Sequence, residues 1–139
     1  MADELKAAII SSASGLRAQS TRIRIVSENL ANASATATVP GGDPYARKTI
    51  SFAQELDRAN GVNTVRVNSI GRDPAPYPAQ HMPGHPAADS KGYVKLANVN
   101  PLVELSDMRE AHRSYEANLQ MVRQAREMIG DLIDLLKGK

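Results

Sequence analysis

Apolar and amphipathic residues repeat in alternating three- and four-residue steps over the last quarter of the chain. This spacing is the period of a coiled coil and predicts one long helix. Asn100 is a favoured N-cap and Pro101 suits the first helical position, so the helix is predicted to begin there. The residues of this first C-terminal stripe are Leu105, Met108, His112, Tyr115, Leu119, Val122, Ile129, Ile133 and Leu136. At about 1.5 Å per residue, such a helix is too long for one small core.

The N-terminal segment carries the same four-three spacing and predicts a second helix. Its stripe consists of Leu5, Ile9, Ser12, Leu16, Gln19, Ile23, Val26 and Leu30. The helix is expected to end near Asn32, because a run of small and hydroxyl residues then leads into Pro40. The chain therefore begins and ends with a coiled-coil-like helix.

Two striped helices at opposite ends of a chain predict that they pair with each other in antiparallel orientation. The predicted fold is mainly α with a small β-rich insert, the terminal helices forming a coiled-coil-like stalk. Residues 1–35 and 100–139 form one discontinuous helical domain, and residues 36–99 form the insert. The residues predicted to pair the two helices are Leu16, Ile23, Leu30, Leu119, Val122 and Ile129.

The second half of the C-terminal helix carries another apolar stripe on a different face. Its residues are Met121, Ala125, Met128, Leu132 and Leu135. A helix that is apolar on two faces needs two partners, and the chain supplies only one. The residues Met121, Met128, Leu132 and Leu135 are therefore predicted to contact another subunit.

The middle of the chain is predicted to consist of turns and short strands. All eight prolines lie between residues 40 and 101, which excludes a long helix there. Residues that favour strands, together with an alternation of apolar and polar positions, predict strands at 48–52, 62–68 and 93–96. The proline-rich tract 73–78 is predicted to be extended and exposed.

The loop at 39–48 combines backbone freedom at Gly41-Gly42 with stiffness at Pro44. One interpretation is a contact loop that binds a neighbouring chain. The other is a plain connector in which the basic pair Arg47 and Lys48 is incidental. Under the first, favoured interpretation, the contact residues are Pro40, Gly41, Gly42, Asp43, Pro44 and Tyr45.

Charge and composition exclude several classes of function. The net charge is only +2, and no segment carries the basic cluster that nucleic-acid binding requires. The absence of cysteine excludes disulfides and thiolate metal sites. The N-terminus lacks a secretory signal pattern and no apolar run approaches the roughly 18 residues of a membrane span, so export would need another route.

Catalytic and metal-binding patterns are also missing. His81 and His85 are four residues apart, but Pro83 excludes the helix that would place them on one face. His112 lies on the first C-terminal stripe, where we expect it to pack. The chain has no glycine-rich phosphate loop and no nucleophile elbow. We expect no enzyme activity, no cofactor, no metal and no small-molecule substrate.

Several blocks of sequence resemble a known family. The block Asn29-Leu30-Ala31-Asn32 at the end of the first helix resembles the signature of the flagellar rod and hook axial proteins. Further blocks resemble the proximal-rod branch of that family, and they lie at 40–48, 83–94, 98–101 and 108–118. The resemblance covers nearly the whole chain and is weakest over 54–80.

This resemblance implies a structural subunit of the bacterial flagellar basal body. In that family, terminal helices of many subunits pack into a helical tube that transmits torque and encloses an export channel. The implied partners are other copies of the chain, other proximal-rod and distal-rod proteins, the membrane ring and the flagellar type III export apparatus. That export route fits the missing signal peptide and places the protein in the periplasm-spanning rod. We expect Asn29 and Asn32 to cap and bridge the helix end.

Two other classes of function remain open at this point. The paired helices could belong to a soluble secreted adaptor or effector that binds a single partner. Alternatively, His81, His85 and Asp89 could form the centre of a small metal-dependent hydrolase. Metal content and association with rod proteins distinguish these alternatives.

Overall fold

The computed structural model describes residues 1–138, about half of which are helical. The elements in chain order are α1 (Ala2–Ala31), β1 (Lys48–Asp57), β2 (Val62–Arg72), β3 (Ala79–His81), β4 (Tyr93–Lys95) and α2 (Pro101–Leu136). Two long terminal helices around a small strand-containing middle confirm the coarse fold prediction.

The start of α2 is fixed by Asn100. Its side-chain Oδ1 accepts a hydrogen bond from the Leu102 N–H (3.0 Å), which is one of the unpaired donors of the first turn. Its carbonyl oxygen accepts from the Glu104 N–H at 3.1 Å. The predicted N-cap and the predicted first residue, Pro101, are both confirmed.

We predict that Asn100→Ala lowers the free energy of unfolding by about 1 kcal/mol, because the capping oxygen is lost. Asn100→Asp keeps an acceptor beside the positive end of the helix dipole and should retain the stability of the unaltered protein. Urea denaturation followed by circular dichroism measures both. Equal losses in the two variants would show that the cap does not stabilise the helix.

The end of α1 is also capped by an asparagine. The Glu28 carbonyl accepts hydrogen bonds from both the backbone N–H (3.1 Å) and the Nδ2 atom (2.8 Å) of Asn32. The side chain of Asn32 therefore adds a second donor to a carbonyl in the last turn of the helix. The helix ends at Ala31, close to the predicted position.

Strands β1 and β2 form a two-stranded sheet and are longer than predicted, at 10 and 11 residues. The connecting turn is held by Asp57, whose carboxylate accepts hydrogen bonds from the Ala59 N–H (3.0 Å) and from Asn60 Nδ2 (2.8 Å). Gly61 completes the turn with a φ of 65°, which lies in the left-handed region that glycine adopts readily. We refer to residues 48–72 as the hairpin.

Strands β3 and β4 form a second, antiparallel sheet in which Gln80 lies opposite Val94. In the turn before β4, the Asp89 carboxylate accepts hydrogen bonds from the Lys91 N–H (2.8 Å) and the Tyr93 N–H (2.9 Å). The short strand β3 was not predicted, since its sequence has no alternating apolar pattern.

The chain divides into two compact units. The first comprises residues 1–23, 51–69 and 109–139, and the second comprises residues 24–50 and 70–108. Each unit combines helical residues with residues from the middle of the chain. The predicted domain boundaries at 35/36 and 99/100 stay a prediction.

Each unit has a thin aliphatic core. The buried apolar residues of the first unit are Ala18, Val62, Ala111, Val122 and Ala125. Those of the second unit are Ile25, Val26, Ala87, Val94 and Ala97. Alanine supplies half of these positions and no aromatic residue is among them, so hydrophobic burial is small in both units.

In the first unit, α1 and α2 meet through small and polar residues. A Cβ added to Gly15 would lie 2.8 Å from Asn118 Oδ1, so the backbone of α1 passes close to this side chain. Arg22, seven residues further along α1, contacts Glu110 at 3.4 Å. The partner numbers fall as the α1 numbers rise, as in an antiparallel pair.

In the first unit, several residues at which α1 and α2 meet lie one position before the predicted apolar stripes. Gly15 and Arg22 each precede a predicted pairing residue, Leu16 and Ile23, which are half-buried. On α2, the fully buried Ala111 precedes His112, which is exposed. His112 is therefore not a packing residue within the chain, contrary to our expectation. A stripe of apolar residues could not show this register, because glycine, alanine and asparagine occupy it.

The remaining predicted pairing residues have mixed environments. Val122 is buried, whereas Leu30, Leu119 and Ile129 are half-buried. The role of these residues in pairing the two helices stays a prediction.

Candidate functional site

The side chain of Asn29 is the centre of a buried polar cluster in the second unit. Asn29 is only 1% exposed and lies in the last turns of α1. Its Nδ2 atom donates to the Lys48 carbonyl (2.9 Å) and to Glu104 Oε2 (3.1 Å). Its Oδ1 atom accepts from the Lys48 N–H (2.8 Å) and from the Tyr45 hydroxyl (2.8 Å). These four bonds use the full hydrogen-bonding capacity of the amide.

Glu104, in the first turns of α2, is the buried acid of the cluster and is 0% exposed. Its carboxylate accepts hydrogen bonds from Asn29 and from Arg47 Nε. Arg47 also lies 3.7 Å from a carboxylate oxygen of Asp73. A buried carboxylate is tolerated only when it is paired and hydrogen-bonded, and Arg47 supplies the opposite charge.

Asn98 extends the cluster to the proline-rich tract. Its Oδ1 atom accepts the Arg47 backbone N–H at 2.7 Å. Its Nδ2 atom donates to the carbonyls of Asp73 (3.1 Å) and Ala75 (2.9 Å). The extended tract therefore follows a fixed course although it has no regular secondary structure of its own.

Glu28 forms the solvent-facing side of the cluster. It contacts Lys48 Nζ at 2.6 Å and Arg24 at 2.7 Å. The hydrogen bond from Lys48, followed by that from Arg24, lowers the pKa of Glu28 below its usual value. Because the pKa is lower in the folded protein, the stabilisation is present at neutral pH and is lost as the pH falls through the folded-state pKa.

Tyr45 closes the cluster from the loop. Burial raises the pKa of its hydroxyl, which remains the donor to Asn29 at neutral pH. The Arg72 guanidinium lies 5.9 Å from the centre of the Tyr45 ring and donates to the Ala46 carbonyl at 3.2 Å. The loop, α1, α2 and β2 are thus tied together around one asparagine.

The loop predicted to contact a neighbouring chain is partly committed within its own unit. Pro44 is buried, and Asp43 forms an ion pair with Lys95 at 2.7 Å. The Gly41 N–H donates to the Ala87 carbonyl at 3.1 Å. Pro40, Gly41 and Asp43 nevertheless remain exposed, whereas Gly42 is half-buried. The basic pair of this loop, Arg47 and Lys48, is not incidental, because both residues belong to the cluster.

The residues predicted to form the intersubunit stripe lie on the outside of the first unit. Met121 is 50% exposed, Met128 is 44% exposed and Leu135 is 74% exposed. Leu132 is half-buried. Their part in an interface between subunits stays a prediction.

The histidines of the middle segment have structural contacts. The His81 ring packs edge-on against Tyr93, with 5.0 Å between the ring centres. The His85 Nδ1 atom accepts a hydrogen bond from the Ala87 N–H at 3.0 Å. Within residues 1–138, no group of three or more histidine and acidic side chains is arranged to hold a metal ion.

The Asn29 side chain holds the backbone at Lys48 through two hydrogen bonds. Its other two hydrogen bonds are to the side chains of Glu104 and Tyr45. It joins the end of one helix to the start of the other and to the loop between them, which is the geometry of a structural clamp.

No helix in the described part of the chain has the length and apolar character needed to cross a bilayer. Sequence reasoning missed Glu104, whose only signal is an acidic residue in the first turns of a helix, where such residues are common.

A known family matches the C-terminal part of the chain. Residues 90–135 match the family described as "Flagellar basal body rod FlgEFG protein C-terminal". The match covers β4 and all but the last residue of α2, and the matched family is one of flagellar basal-body rod proteins.

The particular family follows from full-length relatives. The chain is 54% identical to the flagellar basal-body rod protein FlgC of Agrobacterium fabrum, over 98% of each chain. It is 38% identical to the FlgC of Borreliella burgdorferi, over 89% of this chain and 92% of that one. It is 36% identical to the FlgC of Salmonella typhimurium, over 84% and 86%. The chain belongs to the flagellar basal-body rod protein FlgC family.

Proposed function

We propose that this protein is a structural subunit of the flagellar proximal rod, which supports motility. The observation that carries the proposal is the 54% identity to a FlgC over nearly the full length of both chains. The relatives give no support to a secreted adaptor or to a metal-dependent hydrolase. The protein has no proposed catalytic role.

In this proposal the two terminal helices pair in antiparallel orientation and many subunits pack into a helical tube. The contacts of Gly15 with Asn118 and of Arg22 with Glu110 support this orientation. The tube transmits torque and encloses the export channel, and stiffness comes from helix packing that is repeated around the axis. The partners are other copies, other proximal-rod and distal-rod proteins and the membrane ring.

We propose that the subunit reaches the periplasm-spanning rod through the flagellar type III export apparatus. The exposed residues of the loop, Pro40, Gly41 and Asp43, contact a neighbouring subunit in the rod. The Asn29 cluster holds this loop in a single conformation, so the contact costs little conformational entropy when it forms. The same cluster gives Asn29, the first residue of the signature Asn29-Leu30-Ala31-Asn32, a structural role.

The proposal is tested by deleting the gene and complementing it with a tagged copy. Cells without the protein should be non-motile and should lack rods in isolated basal bodies, and the tagged copy should restore both. Leu119→Asp should prevent rod assembly by charging the half-buried face of α2, whereas Gln120→Asp, at the adjacent exposed position, should be tolerated. Intact rods in the deletion strain would exclude the proposed function.

A further inference from the structure

An open groove runs between α1 and the hairpin in the first unit. Its volume is about 930 Å³, within the range of specific binding sites. Apolar side chains from both elements line it, including Ile10, Leu56 and Val65. A second cavity of about 280 Å³ shares Ile10 and continues along α1 towards Asp3. We call the two together the α1–hairpin groove.

The walls of the α1–hairpin groove carry surplus positive charge. Its four basic residues outnumber its three acidic residues, which are Asp3, Glu55 and Asp57. Glu55 pairs with Arg66 at 3.1 Å, and Asp57 accepts hydrogen bonds in the turn. Arg17 and Arg58 also line the groove and are exposed. A ligand with an apolar surface and an acidic edge would complement these walls.

Such a surface is present on α2 of the same unit. Met121, Met128 and Leu135 are spaced by seven residues and are all exposed, and we call them the methionine stripe. Three exposed acidic residues lie beside this stripe at helical spacing, and they are Glu127, Asp131 and Asp134. Methionine side chains adapt to irregular surfaces, which suits a groove built from a helix and a hairpin.

We propose that the α1–hairpin groove of one subunit receives the methionine stripe of a second copy. The acidic edge of the stripe then faces Arg17 and Arg58. This inference rests on the proposed rod function and identifies the two surfaces that join neighbouring copies. Because the groove and the stripe are different patches of one chain, the contact is head-to-tail and leaves a free groove and a free stripe at the ends. Contacts of this kind build helical assemblies.

Cysteine cross-linking tests the contact, since the chain contains no cysteine. Val65→Cys in the groove and Met128→Cys in the stripe are introduced into two differently tagged copies. Both copies are expressed together in cells that lack the unaltered gene, and the cells are oxidised before basal bodies are isolated. The matched control replaces Met128→Cys by Arg123→Cys, on the opposite side of the same helix.

A dimer that carries both tags is expected, with a yield several-fold above the control pair. Motile cells whose rods contain both variants without this dimer would overturn the docking contact, although the rod function would stand. A dimer yield no higher than that of the control pair would equally overturn a second copy as the occupant. Absence of the unaltered, tagged protein from isolated basal bodies would instead exclude the proposed function.

The charge on the groove provides a second measurement that needs no cysteine at position 65. If the copies with Val65→Cys and Met128→Cys do not assemble into rods, Leu56→Cys and Leu135→Cys are used in their place. Adding Arg58→Glu to the groove copy should lower the dimer yield several-fold, and adding Asp131→Lys to the stripe copy should restore part of it. Unchanged yields in both variants would contradict the proposed orientation of the acidic edge.

Discussion

Replacing Glu104 by alanine is expected to lower the free energy of unfolding by about 3 kcal/mol. The substitution leaves Arg47 without its buried partner and removes the acceptor of one Asn29 hydrogen bond. Loss of one partner of a buried ion pair typically costs about 3–5 kcal/mol. The lower end applies because the Arg47 side chain is 25% exposed and also lies near Asp73. Urea denaturation of the purified protein, followed by circular dichroism, measures the loss.

Glu110→Ala is the matched control, because Glu110 also lies on α2 and also pairs with an arginine. That pair is 3.4 Å long and the Glu110 side chain is 71% exposed, so its loss should cost at most about 1 kcal/mol. Glu104→Gln retains the shape and an acceptor and should fall between the two. A Glu104→Ala loss no larger than that of Glu110→Ala would show that the cluster does not stabilise the fold.

The coarse fold was predictable because it depends on signals that act locally. Asn100 and Pro101 mark a helix start through the chemistry of one turn, and the structure begins α2 there. The prolines confine irregular structure and strands to the middle for an equally local reason. These signals do not depend on the residues that pack against each element.

The packing register was not predictable from the apolar stripes. In the first unit α1 approaches α2 at Gly15, where the absence of a side chain permits the contact, and Ala111 is fully buried. Hydrophobic periodicity gives little weight to such small residues and none to Asn118. In the first unit these small residues lie one position before the predicted stripes, whereas Val122 is buried on its predicted stripe.

The candidate site was only half predictable. Asn29 was singled out by its resemblance to a family signature, and the expectation that it bridges the helix end agrees with its four hydrogen bonds. Glu104 was not singled out, since its role depends on Arg47 and Asn29, which lie 57 and 75 residues away in the chain. Contacts over such separations leave no spacing pattern in a single sequence.

Asn29→Asp is expected to destabilise the protein by about 3 kcal/mol at neutral pH, although the two side chains have nearly the same shape. Aspartate cannot donate to the Lys48 carbonyl or to Glu104, so both donated hydrogen bonds are lost. The new carboxylate also faces the Glu104 carboxylate in a buried site, where like charges repel strongly. Urea denaturation at neutral pH measures the loss, and a rod assembly assay should show fewer basal bodies.

The pH dependence distinguishes charge repulsion from a simple packing defect. Burial and the neighbouring Glu104 should raise the pKa of an aspartate at position 29 in the folded protein. Its penalty is then absent below the unfolded-state pKa, where the group is protonated in both states, and grows as the pH rises to the folded-state pKa. The stability difference from the unaltered protein should therefore shrink on acidification, a trend that Asn29→Ala should not show.

Asn32→Asp provides the matched control for the chemical change itself. Asn32 is half-buried and donates one side-chain hydrogen bond, to the Glu28 carbonyl at 2.8 Å. Its replacement by aspartate should cost about 1 kcal/mol, the value of one hydrogen bond. If the two aspartate variants are equally stable, the buried network around Asn29 contributes no more than a helix cap. A larger loss at position 29 assigns the difference to the buried network, in which Asn29 donates to the Lys48 carbonyl and to Glu104 and so joins α1 to α2 in the second unit.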